Sequence, residues 1–247
     1  MLPAEAAFYN KVHTDLASAV PHGFYDWKID TGPDDFDALK LWCADAKTPD
    51  DHLGYCPVRL GKSEPYSLKY EIEFNMPDAQ SKALLESEFK KITDFNSTRQ
   101  IAAALKSTAV RWLKISIATN VLTAANNRLS YCAGIQPKTI TLPVPPALAL
   151  MGLHSDDCPI MVAGRIDMTA DYYDNALIIL GKPPARRSVE QRSGGLAEMD
   201  CGAGFDQSKT GRLETQNIVV SIHGDAADIS AAIKLIDWQK LCYLLGK

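Results

Sequence analysis

The sequence has no cysteines spaced as CxxC, no complete glycine-rich nucleotide fingerprint and no serine or cysteine in a nucleophile elbow. Its apolar runs fall far short of the roughly 18 residues needed to cross a membrane. These absences remove the common zinc, dinucleotide and hydrolase signatures and leave peripheral contact as the expected mode of membrane association. An excess of positive charge is missing too. Lys and Arg number 26 against 30 Asp and Glu, for a net charge of -4. A protein that binds nucleic acid mainly by charge is usually basic, so direct nucleic-acid binding is not expected. Cysteine is sparse: Cys43, Cys56, Cys132, Cys158, Cys201 and Cys242 are widely spread over 247 residues. That density does not suit a disulfide-stapled scaffold and predicts reduced, buried thiols in a cytosolic or nuclear setting. The opening stretch lacks a basic flank followed by an apolar run, so a secreted chain is not expected.

What is present is a globular composition, 46% hydrophobic and 23% charged. The chain is long enough to bury a core without metal or disulfide staples. Phe8, Val12, Leu16 and Ala19 recur at helical spacing behind Pro3, and Pro21 and Gly23 end that helix. Its apolar face has two uses, packing on the chain's own core or docking on a neighbouring subunit. A short helix is expected over 34–46, followed by a polar loop from Lys47 to Pro65. Leu68, Tyr70, Ile72, Phe74 and Met76 alternate with polar residues, the pattern of a strand with one face in a core. Leu85, Phe89 and Ile92 suggest a following helix. Ser97-Thr-Arg-Gln100 has the form of a capping box opening a second helix, with Ile101, Leu105, Thr108 and Trp112 along one side.

Further strands are expected over 114–123, 129–132, 139–144, 162–170, 176–180 and 218–222, with a helical turn over 147–152. Gly224-Asp225 opens a final helix over 226–245 with Ile229, Ile233 and Ile236 on one face. Residues 181–212 carry Pro183-Pro184, Lys182, Arg186, Arg187 and Arg192, Gly194-Gly195 and Gly202-Ala-Gly204. They read as a long, flexible, basic loop. The expected fold is therefore a single α+β domain, a mainly antiparallel sheet packed against several helices. Residues 1–66 form an N-terminal helical and loop arm in this reading, and residues 67–247 the core.

Chemistry-bearing residues are present without a motif to join them. Gly202 and Gly204 lack the third glycine and flanking elements of a dinucleotide site. His154, Asp156, Asp157 and Cys158 match no standard zinc or calcium spacing, and two carboxylates beside a turn more often cap it. Asp167, Asp171 and Asp174 read first as solvated strand-end residues. His13, His22, His52 and His223 stand apart in sequence, although a site can assemble in space. No metal or cofactor is expected. The arginines of the basic loop suit phosphate or lipid headgroups, or solvent alone.

One run of local wording resembles a known family. Cys132-Ala-Gly134, Leu142-Pro143 and Gly164-Arg-Ile166-Asp-Met-Thr169 ending in Tyr172 look like stretches of rhabdovirus matrix proteins, over residues 68–175. The chain has no PPxY motif and no lysine-rich N-terminal arm. The resemblance implies a sheet packed on helices and a non-enzymatic viral structural protein. Such a protein self-associates and bridges nucleocapsid and membrane in the virion and in the host cytoplasm or nucleus. In that reading Phe8, Val12 and Leu16 make the homo-oligomer contact. Lys182, Arg186, Arg187 and Arg192 meet an anionic membrane or a nucleocapsid protein. Two alternatives remain open: a jelly-roll viral coat protein, which needs about eight strands, and an enzyme whose site, with Asp167, His154 or His223 as candidates, forms only in space.

Overall fold

A computed structural model of the chain describes residues 3–31, 68–95, 97, 100–101, 104, 112–121, 128–153, 161–162, 165–166, 173–182, 187–191, 195–201 and 214–246. The alternating stretch near residue 70 forms β2 (Leu68–Asn75), with Leu68, Tyr70, Ile72 and Phe74 all buried. β3 (Trp112–Thr119) alternates in the same way and buries Leu113, Ile115 and Ile117. The two pair antiparallel with Tyr70 opposite Ile117, Ile72 opposite Ile115 and Phe74 opposite Leu113. That register lays two apolar rows side by side on one face; a slip of one residue would turn both rows to water.

β1 (Lys28–Thr31), β5 (Lys138–Thr139), β6 (Leu148–Gly152), β9 (Asp174–Gly181) and β12 (Asn217–Gly224) complete a seven-stranded sheet. Its order is β1-β2-β3-β12-β9-β6-β5, and each neighbouring pair is antiparallel. β4 (Arg128–Cys132), β10 (Arg187–Gln191) and β11 (Leu196–Cys201) form a smaller sheet in the order β10-β11-β4. β7 (Met161–Val162) and β8 (Arg165–Ile166) pair with each other. The fold is α+β in a single domain, as expected.

One face of the large sheet is closed by helices. α1 (Pro3–Ala19) packs on β2 and on the last helix. α3 (Ala226–Leu235) and α4 (Trp238–Leu244) bring Ile229, Ile233, Trp238, Leu241 and Leu244 to the same core. α2 (Asp78–Phe89) differs, because it buries no side chain. On the other face, Leu129, Tyr131, Ala197 and Cys201 of the small sheet meet Leu148, Leu177, Ile179 and Val219 in a second core. β9, and β12 as far as Val219, are thus covered on both sides. That is why 176–180 reads as an unbroken apolar run rather than an alternation.

One glycine and one asparagine set the approach of the small sheet. A Cβ on Gly152 would lie 2.2 Å from the Ser130 carbonyl oxygen, so β4 can cross β6 here only over a glycine. Beside it, Asn175 Nδ2 donates to the Ser130 carbonyl at 2.7 Å and its Oδ1 accepts from the Ser130 amide at 3.2 Å.

The structure revises several expectations. Residues 1–66 are not a separate arm throughout: Tyr9, Val12 and Leu16 lie in the main core, and β1 is a strand of the main sheet. Leu148–Gly152 is a strand rather than a helical turn, because pairing with β9 outweighs the local helical preference of Ala and Leu. The flexible loop expected over 181–212 contains the β10–β11 hairpin, held by its ladder and by β4. Of the strand expected over 139–144, only Thr139 lies in a strand, β5; the Ile140 amide still donates to the Ala149 carbonyl of β6 at 3.0 Å, and Ile140, Leu142 and Val144 pack against the main core. Trp112 begins β3 and does not lie on a helix.

The final helix is broken. Ile236 is extended, with φ -72 and ψ 133, and Asp237 caps α4 by accepting from the Lys240 amide. The Asp237 amide donates to the Ala19 carbonyl at 2.8 Å, which ties this corner to the end of α1. Cys132 is disulfide-bonded, contrary to the expectation of reduced thiols, whereas Cys201 and Cys242 take part in no disulfide. The partner of Cys132 and the helix expected over 34–46 lie outside the described residues. At the expected capping box, Ser97 Oγ accepts from the Gln100 amide at 3.4 Å. The Gln100 side chain instead accepts from the Thr93 and Asp94 amides.

Candidate functional site

Beyond the cover of the small sheet, the second face of the large sheet is polar. Strand alternation places Lys69, Glu71, Glu73 and Asn75 of β2 there, with Trp112, Lys114 and Ser116 of β3 and Ser221 and His223 of β12. Glu71 lies 2.9 Å from Lys69 Nζ and 3.2 Å from Lys114 Nζ. Burial works to raise the Glu71 carboxyl, but the two ammonium groups outweigh it and hold it below the usual carboxylate range. The Trp112 and Tyr173 rings meet edge to face at 4.6 Å.

Ser221 Oγ lies 2.9 Å from His223 Nε2. A serine within hydrogen-bond reach of a histidine is the first requirement of a nucleophilic site. The surroundings supply little of the rest. Ser221 sits in a regular strand paired on both sides, so the neighbouring backbone amides serve the two ladders and do not converge on an oxyanion position. The pair is better described as a polar contact within a solvated sheet face.

The outer margin of the sheet is chemically different. β1 is its terminal strand among the described residues. Leading into it, Phe24, Tyr25 and Trp27 form an aromatic group with Phe74 of β2. Their ring centroids lie 4.4 Å apart for Phe24–Tyr25, 5.3 Å for Phe24–Trp27 and 5.8 Å for Phe24–Phe74. Phe24, Trp27 and Phe74 are buried, whereas Tyr25 is 65% exposed and the next apolar residue outward, Ile29, is 44% exposed. Tyr25 also adopts φ 49, a left-handed conformation that a bulky aromatic residue rarely takes. Such strain persists only where the surroundings over-determine it, and it concentrates at functional positions. Asp26 accepts a hydrogen bond from Gln80 of α2. This brings the unburied helix, with Leu85 39% exposed, to the same part of the molecule.

The residues singled out in the sequence are placed as follows. Val12 and Leu16 are buried and Phe8 is half-buried, all against the main core. This face of α1 is occupied within the chain, so the docking reading of these side chains gives way to the packing one. Lys182 is half-buried just after β9, and Arg187 opens β10; Arg186 and Arg192 lie outside the described residues. His154, Asp156, Asp157, Cys158, Asp167, Asp171, His52, Gly202 and Gly204 also lie outside the described residues.

Asp174 serves the fold, its Oδ2 accepting from the Ala226 amide at the start of α3. His13 is buried against Tyr70, with ring centroids 5.7 Å apart, and His22 is exposed. Among the described residues there is no group of three or more His, Cys, Asp or Glu able to hold a metal ion. Nor is any helix among them long and apolar enough to cross a membrane.

Sequence reasoning missed the Tyr25–Ile29 margin, although a signal was present. Tyr25, Trp27, Ile29 and Thr31 alternate with Asp26, Lys28 and Asp30. The run is short and sits between glycine and proline residues, which favours a loop reading. The Ser221–His223 contact had a signal as well, since Ser221 and His223 interrupt an otherwise apolar strand at alternate positions. No family model matches the chain, and no curated protein or solved structure matches it either.

Proposed function

We propose that this chain is a non-enzymatic structural protein that associates with copies of itself, in the manner of a viral matrix protein. The observation that carries the reading is the exposed, left-handed Tyr25 beside exposed Ile29 at the margin of the sheet. An exposed aromatic side chain above a buried aromatic base is the kind of anchor that dominates protein interfaces. The contact therefore moves from α1, where the sequence first suggested it, to the approach to β1.

The chemistry of that margin favours side-chain docking over extension of the sheet. β1 is only four residues long, has a register shift between Ile29 and Thr31 and carries exposed Lys28. Short length, irregular pairing and lysine are devices that discourage strands from adding edge to edge. Association through Tyr25 and Ile29 is then limited rather than open-ended. The contact with an anionic membrane or a nucleocapsid protein rests on the local basic residues Lys182 and Arg187 and on the sequence resemblance.

Sedimentation velocity over a wide concentration range tests the reading. The mean mass is expected to rise with concentration, and Tyr25→Asn or Ile29→Lys is expected to move the midpoint at least about tenfold higher. Asparagine tolerates the left-handed backbone, so Tyr25→Asn removes the ring without adding strain. A mass that stays monomeric at every concentration would overturn self-association. Unchanged association in both variants would remove the proposed contact. Flotation with phosphatidylserine-containing vesicles tests the membrane part, with binding expected to weaken in Lys182→Glu/Arg187→Glu. No binding by the parent chain would reject it.

A further inference from the structure

We draw no further inference here: the strongest candidate, the half-buried polar row of Lys114 and His223 with Ser221 beside the Trp112–Tyr173 ring pair on the open face of β3 and β12, belongs to the surface already described, and nothing in the structure shows what ligand would cover it.

Discussion

The face of the large sheet away from the helices has two unlike halves. Over β9 and β6 it is closed by the small sheet, and Leu148, Leu177 and Ile179 lie buried in the second core. Over β2 and β3 it is open, and Glu71 bridges Lys69 and Lys114 in partial contact with solvent. The same sheet thus meets two environments, and residue pattern follows environment strand by strand. A strand covered on both faces is apolar throughout, whereas one covered on a single face alternates. The closed half is expected to hold most of the sheet's mutational sensitivity.

Leu177→Ala should produce the largest effect. Leu177 is fully buried in the second core, and its truncation is expected to cost about 3–4 kcal/mol in urea unfolding. Ser116→Ala on the open half should stay within about 0.5 kcal/mol. Equal costs at the two positions would erase the distinction between the halves. Gly152→Ala comes next, because its Cβ would strike the Ser130 carbonyl oxygen and push β4 away from β6. A loss of about 2–3 kcal/mol is expected, together with faster hydrogen exchange in β4 and little change in β2. Uniform loss of protection through both sheets would show that the small sheet is not a separable cover.

Asn175→Leu keeps the side-chain volume but removes both bonds to Ser130. About 1–2 kcal/mol should be lost, again with hydrogen exchange rising first in β4. A smaller effect again is expected on the open half, at Glu71→Gln. The folded-state carboxyl lies below its ordinary value of 4.5, so the folded chain binds that proton less readily than the unfolded chain. Its contribution is complete above the ordinary value and is lost as pH falls through the folded one. With the pair partly exposed, the substitution should cost under about 1 kcal/mol at neutral pH and nothing well below the folded value. A larger cost, or one that persists in acid, would mean that the open face is buried against something.

Legibility in the sequence divides along the same line. β2 and β3 could be read from alternation because water stays on one side of them. β9 could be found as an apolar run, but its two-sided burial could not be assigned, since a run of that length also suits a helix segment. β6 carries the same ambiguity, and only its pairing with β9 makes it a strand. β10 and β11 carried no strong pattern of their own; they are strands because they pair with each other and with β4. The broken final helix follows from an anchor remote in sequence, the Asp237 amide bonding to the Ala19 carbonyl. Around the candidate contact, the alternation from Tyr25 to Thr31 was visible, but Tyr25's exposure above buried Phe24 and Trp27 was not.

By itself, the sequence determined the α+β class, the amphipathic first helix and the strands that keep one side in water. These are local matters of period, and burial on one face writes them into every second or every third and fourth residue. Only the tertiary structure decided that the apolar face of α1 is spent on the chain's own core, that Gly152 and Asn175 seat the second sheet, and that Tyr25 and Ile29 are left at the margin. Each of these depends on which distant segment arrives opposite a residue, and no local pattern encodes that arrival.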